Sequence, residues 1–401
     1  MIGCPDCGAI ERIPPLAHRM KALCRICGSP LERKAGRSIT AAAALSLTTL
    51  ILLLPATFAP LLGVRMLGVV RSSELTSGIG ALWHNGWVVM ALLLGAFGVV
   101  FPLIRFAGLT LALGALLWSD RRPAWLGPLF RWMMRLDPWA MTDVFLIGFF
   151  IGYTRVSQHL TAIIGWGGWC FILAAFTTML TRAALDRRTI WRAIAPERDI
   201  PPGAPVISCT ICDLALPAEH EGEDCPRCGA TVRARRPDAM IRAGALSLAA
   251  LVLYIPANLY PMTVSTSLGQ PTTHRIIDGV RELFQIGLWP FGILIFCTSI
   301  AIPLLKLLGM GWFMLSIRRG SDRHLHAKTL LYRRIDELGR WSNVDVFTIA
   351  IFVPLIHFDG LAHADAAIGA PCFALVVTLT MLASRAFDPR LMWDAAHRKR
   401  P

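Results

Sequence analysis

Eight of the eleven cysteines fall into four closely spaced pairs, and these pairs have the clearest chemistry in the sequence. A Cys-x2-Cys turn aims two thiolates at one point, and two such turns complete the tetrahedron that zinc prefers. The pairs form two sets, namely Cys4, Cys7, Cys24 and Cys27, and Cys209, Cys212, Cys225 and Cys228. Because four protein ligands leave no position for water or substrate, the sequence predicts two structural zinc ions.

The alternative interpretation of these cysteines is that they form disulfides or redox-active pairs. A cytosolic location disfavours structural disulfides, and the strand-and-helix context of thioredoxin-type pairs is not recognisable around them. Gly8, Gly28 and Gly229 follow three of the four turns, at the position where the backbone commonly needs a positive φ. The pattern therefore favours two zinc ribbons.

A second group of residues combines charge with apolar surroundings in the second half of the chain. Lys306 and Asp345 lie in or beside long apolar runs, where an ionisable residue costs about 2.5–3.5 kcal/mol and needs a partner or a function. Thr380 is expected at a similar depth. Lys306, Asp345 and Thr380 together predict a proton or ion relay, with a static ion pair or side chains that snorkel to the interface as the alternatives.

The first half carries equivalents of these three residues, with one substitution that changes the chemistry. Arg105, Asp143 and Thr178 take the places of the lysine, the aspartate and the threonine. Because arginine does not practically release a proton, a static role is favoured for this set.

The elements that must position these residues are membrane helices. Of the 401 residues 55% are hydrophobic and only 16% are charged, whereas soluble domains are about one quarter charged. Apolar runs occur at residues 39–64, 87–118, 144–153, 163–180, 246–264, 288–317, 344–358 and 366–382. With ~20 residues needed for each crossing, the sequence predicts about eight crossings in a mainly α, polytopic membrane protein.

The net charge of +14 arises from Lys and Arg that cluster between every second apolar run. By the positive-inside rule these segments and both termini are cytosolic, so nucleic-acid binding is not expected. Residue groups such as Pro55-Ala56 and Trp139 recur as Pro256-Ala257 and Trp341, at a spacing of about 200 residues. The chain is therefore a duplication of one unit, a cytosolic zinc ribbon followed by a bundle of about four helices.

The repeat and the composition together predict five segments. They are ribbon 1 (residues 1–36), bundle 1 (37–194), a linker with ribbon 2 (195–236), bundle 2 (237–387) and a basic cytosolic tail (388–401).

Several motifs resemble the paraquat-inducible protein A family over nearly the whole chain. They are the doubled cysteine ribbon, Pro-Ala-Asn-x-x-Pro at 256–261, Pro-x-x-Lys at 303–306 and Trp-x3-Asp-Val-Phe at 341–347. The resemblance implies a bacterial inner-membrane protein that loads or unloads lipids at a periplasm-spanning partner built of MCE domains, drawing on the proton gradient. The family's polar cluster corresponds to Lys306, Asp345 and Thr380. The first copy departs from it at Arg105, so it is expected to be less active in transport.

Two other classes of function compete with transport of phospholipid-like molecules. A non-transporting anchor or scaffold for the envelope-stress response remains the alternative, although a passive anchor would gain nothing from Lys306 and Asp345 in lipid. An enzyme is not expected, because the sequence has no recognisable nucleophile elbow, phosphate-binding loop or open metal site.

Overall fold

The computed structural model describes residues 1–14, 16–17, 20–33, 38–66, 69–119, 122–157, 161–197, 200, 204–267, 270–355 and 362–397. Parts of the predicted linker and tail, residues 198–199, 201–203 and 398–401, fall outside these ranges. The chain opens with two small hairpins, whose strands are β1 (Ile2–Gly3), β2 (Ile10–Glu11), β3 (Lys21–Leu23) and β4 (Pro30–Arg33). Each hairpin is antiparallel and carries one Cys-x2-Cys turn of the first ribbon.

The first bundle follows, and its first helix begins where Ser38 accepts a hydrogen bond from the amide of Ala41. Its elements are α1 (Ile39–Phe58), β5 (Leu62–Met66), β6 (Val69–Ser73), α2 (Leu75–His84), α3 (Val88–Gly95), α4 (Phe101–Trp118), α5 (Leu126–Leu136), α6 (Thr142–Ser157), β7 (Thr161–Ile164), α7 (Trp166–Ala184) and α8 (Arg187–Ile194). A π-helical segment, Ala96–Val100, joins α3 to α4.

The second half repeats this order, beginning with a hairpin of its own. Its elements are β8 (Val206–Ser208), β9 (Ala215–Pro217), α9 (Ala239–Leu259), β10 (Thr263–Ser267), β11 (Gln270–His274), α10 (Ile276–Gln285), α11 (Trp289–Ile295), α12 (Ile302–Arg319), α13 (Leu325–Leu338), α14 (Val344–Leu355), β12 (Ala362–Ala366), α15 (Gly369–Ala386) and α16 (Arg390–His397). A π-helical segment, Phe296–Ala301, joins α11 to α12 at the same place as in the first half.

Five helices are long and apolar enough to cross a membrane: Ile39–Phe58, Val88–Trp118, Ala239–Leu259, Trp289–Arg319 and Gly369–Ala386. The pair α7 and α8, bent by 64°, is a sixth candidate if counted as one broken span, and α6 contains a shorter apolar helix. Together with α14 these helices coincide with the eight predicted apolar runs. Length and composition thus identify a mainly helical membrane protein.

Two three-stranded antiparallel sheets, in the orders β6-β5-β7 and β11-β10-β12, lie beyond the ends of α1 and α9. The apolar runs 39–64 and 246–264 therefore extend past the membrane helices into strands. Proline cannot continue a helix without losing a backbone hydrogen bond, and α1 ends just before Pro60 and α9 just before Pro261. In β5 the buried residues Leu62 and Val64 then continue the apolar run as a strand.

The ribbons cross over, because each one packs on the bundle of the other half. Cysteines of ribbon 1 share a core with Phe313, Tyr332 and Trp393 of the second half, and Asp6 pairs with Arg333 at 2.7 Å. Ribbon 2 packs in the same way on the first half, in a core that contains Phe130. The segment expected as a basic tail forms α16, whose Trp393 is part of the core under ribbon 1.

Candidate functional site

The eight cysteines form two compact groups at the ends of the hairpins. In each group the four Sγ atoms lie within 4.8 Å of one another. Within the groups, Cys4–Cys27 and Cys7–Cys24 are separated by 3.5 and 3.6 Å, and Cys209–Cys228 and Cys212–Cys225 by 3.7 and 3.6 Å. Each group can therefore hold one metal ion.

The turns that carry the cysteines have the backbone geometry that the sequence predicts. The amides of Gly8, Gly28 and Gly229 donate to the carbonyls of the first cysteine of each turn, and their φ values are 79°, 67° and 62°. In the remaining turn Asp213 takes this position with a φ of 56°. Aspartate tolerates the left-handed region better than most residues, which explains why glycine could be replaced there.

Lys306 is the most deeply buried member of the predicted relay, with 1% of its surface exposed. Its Nζ donates to the carbonyl of Gly339 at 2.9 Å and to Oγ1 of Thr380 at 3.3 Å. Within the described part of the chain, no carboxylate lies at ion-pair distance from this ammonium. The structure thus joins Lys306 to Thr380 directly and holds the ammonium with neutral acceptors.

Asp345, at the start of α14, is placed by a different contact. Its carboxylate accepts a hydrogen bond from Ser299, which lies in the π-helical segment between α11 and α12. A π-helical segment widens one turn of a helix and often marks a functional site. Here it presents a hydroxyl to the carboxylate, and Lys306 follows Ser299 two turns further along the same continuous helix.

The equivalent positions of the first half form a network of ion pairs. Arg105, fully buried, lies 2.5 Å from the carboxylate of Asp137. Arg182 lies 3.0 Å from Asp137 and 2.6 Å from Asp143, and Arg340 of the second half lies 3.4 Å from Asp143. Thr178 is also buried, but its hydroxyl donates to the carbonyl of Ala174 in its own helix.

The structure adds Asp137, Arg182, Ser299 and Gly339 to the residues that sequence reasoning singled out. The internal repeat points to some of these positions, because the two halves differ there. Asp137 and Arg182 of the first half align with Gly339 and Ser384 of the second half. The second half therefore lacks one carboxylate near its buried lysine and one guanidinium near its buried aspartate. Comparison of the halves outside the shared motifs would have found these positions.

Two cavities adjoin the polar cluster of the second half. One, of about 60 Å³, is lined by His274, Glu282 and Asp345, at the end of the bundle that carries the three-stranded sheet. The other, of about 170 Å³, lies toward the ribbons and is lined by Asp336 and Ser384, with Ser384 about one helical turn beyond Thr380. Each has room for water.

These features define a class of protein: a polytopic membrane protein built from two copies of a four-cysteine ribbon and a helical bundle, with buried polar clusters in both bundles. A family model described as "Paraquat-inducible protein A" matches residues 39–195 and 240–397. The chain belongs to this family.

Relatives of similar length support this assignment. "Intermembrane transport protein PqiA" of Escherichia coli K12 is 31% identical over 407 residues, covering 98% of this chain and 95% of that protein. "Lipophilic envelope-spanning tunnel protein A" of the same strain is 28% identical, covering 98% and 91%. A "Probable intermembrane transport protein" of Haemophilus influenzae is 24% identical, covering 100% and 97%. Comparison with solved structures gave no match.

Proposed function

We propose that this protein is the inner-membrane component of a lipid-transport system that passes phospholipid-like molecules to or from a periplasm-spanning partner built of MCE domains. The relatives are named for intermembrane transport and for an envelope-spanning tunnel, which supports movement of an apolar cargo between membranes. Transport without covalent chemistry also agrees with a chain in which the sequence shows no recognisable catalytic motif. The partner would receive the lipid at the end of the bundles opposite the ribbons.

The two cysteine groups are proposed to bind zinc. A tetrahedral zinc ion with Zn–S bonds of ~2.3 Å separates its sulfur ligands by about 3.8 Å. Two Sγ–Sγ distances in each group, at 3.5–3.7 Å, come close to this value. An all-thiolate set with every position filled gives the metal a structural role, because no ligand position is left for a substrate.

The ribbons are proposed to lie in the cytosol. They pack on α5 and α13, which carry clusters of arginine and lysine, and such clusters remain on the cytosolic side of a membrane. Both termini then lie in the cytosol as well, and the three-stranded sheets lie on the periplasmic side.

Coupling to the proton gradient is proposed to run through Lys306, Thr380 and Asp345. The observation that carries this proposal is the neutral setting of Lys306, whose ammonium is held by a carbonyl and a hydroxyl. A lysine in such a site can alternate between charged and neutral forms, whereas Arg105 in the equivalent place keeps its charge and its carboxylate partner. Water in the two cavities would connect the cluster to both sides of the membrane.

The test is complementation of a mutant deficient in envelope lipid transport. Lys306→Met, Asp345→Asn and Thr380→Val should each lose most of the activity at wild-type membrane levels and zinc content. Lys328→Met is the matched control, because Lys328 is also a buried lysine of the second half but donates to Ser316, away from the cluster. Full activity in all three cluster variants would refute the relay and favour the passive anchor.

A further inference from the structure

A cavity of about 660 Å³ lies between the two halves on the side of the ribbons. Its size is within the range of pockets that hold small-molecule ligands. The first half contributes Leu93, Phe97 and Phe101 from the α3–α4 helix, and the second half contributes Leu382 from α15. These residues form an apolar wall where a membrane helix of one half faces a membrane helix of the other.

The end of the cavity nearest the ribbons is strongly cationic. Arg135 at the end of α5, Arg236 beyond ribbon 2 and Arg385 in the last turn of α15 all line it, against one lining carboxylate, Asp336. Within the described residues, none of the three guanidinium groups lies at ion-pair distance from a carboxylate. Asp336 accepts a hydrogen bond from Ser384 instead.

The guanidinium groups of two of these arginines contact uncharged groups. Arg236 donates to the carbonyls of Arg385 and Phe387, and Arg135 stacks over the ring of Trp132 at 5.2 Å. Burial is the main cause that lowers the pKa of Arg135, and the charges of Arg131 and Arg236 add to it, whereas the thiolates of Cys228 and Cys209 oppose it. A site lined by three arginines and one carboxylate beside an apolar wall is complementary to an anionic amphiphile.

We propose that this cavity binds one phospholipid of the cytosolic leaflet, with its phosphate against Arg135, Arg236 and Arg385 and its acyl chains along the wall formed by Leu93, Phe97, Phe101 and Leu382. The cavity is smaller than a diacyl lipid, so the chains extend from it into the bilayer. The identity of the ligand rests on the lipid-transport function proposed above. The cavity then forms the place where lipid enters or leaves the protein on the cytosolic side.

The test uses the purified full-length protein with its metal, reconstituted in phosphatidylcholine nanodiscs that contain a small share of photoreactive phosphatidylglycerol. Illumination followed by peptide mapping should place adducts on residues 93–101 and 378–385. Loss of two charge-assisted contacts in Arg135→Gln/Arg385→Gln should weaken labelling about tenfold or more. Arg318→Gln, which removes an exposed cation at the end of α12 outside the cavity, should label as the wild type does.

A second variant, Leu382→Trp, fills the apolar part and leaves all three arginines in place, so it should also reduce labelling. Adducts spread evenly over lipid-facing helices, or labelling unchanged in both cavity variants, would overturn the proposal. Loss of labelling when inorganic phosphate alone is added before illumination would also overturn it in favour of a free-anion site.

Complementation separates this proposal from the transport function on which it rests. Cavity variants that lose labelling but complement fully would leave transport standing and refute the cavity as its entry point. A wild-type protein that labels at the cavity but fails to complement would refute transport and leave the lipid site standing.

Discussion

Phe145 and Phe347 occupy equivalent positions in the two halves, and their rings meet with centroids 4.9 Å apart. The helices that carry them, α6 and α14, pack against each other along the boundary between the halves. Asn343 likewise donates to the sulfur of Met141, its own equivalent. Residues that contact their equivalents lie beside the axis relating the two copies, so the duplicated bundles pack around an approximate twofold axis between α6 and α14.

Gly148 on α6 allows this close approach of the two halves. A Cβ atom there would lie 3.0 Å from Cβ of Phe347, 3.1 Å from the carbonyl oxygen of Val344 and 3.2 Å from the amide of Thr348. Gly148→Leu should therefore lower the stability of the detergent-solubilised protein by about 1–3 kcal/mol, measured by thermal unfolding. Gly311→Leu is the control, because a Cβ at Gly311 meets open space. Equal transition temperatures for the two variants would contradict this account of the interface.

Gly339 provides a way to disturb Lys306 without removing a polar group. A Cβ atom at this position would lie 2.6 Å from Cε and 2.7 Å from Nζ of Lys306, while a φ of −59° lets alanine adopt the same backbone. Gly339→Ala should displace the ammonium and reduce lipid transport by about tenfold, corresponding to a loss of ~1.4 kcal/mol. Expression and metal content should stay normal, as in the control Gly311→Ala. Wild-type transport in Gly339→Ala would show that the position of the ammonium does not matter.

Asp137 predicts a specific dependence of stability on pH. Burial by itself would raise the pKa of this carboxyl, but Arg105 and Arg182 outweigh it and lower the pKa to about 2. Since the unfolded value is about 3.9, the ionised carboxylate stabilises the fold fully above about pH 4, and this contribution is lost as the pH falls toward 2. The difference in stability between wild type and Asp137→Asn should be constant above pH ~4 and shrink below it. A difference that persists unchanged in acid would contradict the role of the charge.

Removal of the metal from one ribbon should increase hydrogen exchange in helices that belong to the other half of the chain. The purified protein should contain two zinc ions per chain by elemental analysis, and Cys225→Ser should retain one. Hydrogen exchange in this variant should rise in α5 and α8, because Phe130 and Trp191 pack in the core beside ribbon 2. Cys24→Ser should instead affect α13 and α16. Faster exchange confined to the half that contains the mutated ribbon in sequence would contradict the crossed arrangement.

Much of this architecture follows from local patterns in the sequence. Apolar runs identify membrane helices because the bilayer requires length and low polarity, and Cys-x2-Cys spacing identifies metal sites because a tight turn brings two thiolates together. The positive φ at Gly8 and Gly28 follows in the same way from local backbone geometry. Each of these features depends on only a few neighbouring residues.

The features that could not be predicted depend on which distant elements meet. The strands β5 and β10 each pair with the next strand and also with a strand about 100 residues away. Their apolar residues continue the apolar run of the preceding helix, so the sequence pattern does not mark them as strands. The pairing of Arg105 with Asp137 requires that α4 and the end of α5 face each other. An apolar run indicates how deep a charged residue lies in the membrane, but it does not indicate which residue the charge pairs with.

The crossed ribbons also constrain how the chain is made. Ribbon 1 precedes its docking surface on Phe313, Tyr332 and Trp393 in the sequence, so it is synthesised before the residues that cover it. Ribbon 1 can therefore dock only after α12, α13 and α16 have been synthesised. A product truncated before α12 would leave uncovered the apolar face of ribbon 1 that packs on these helices.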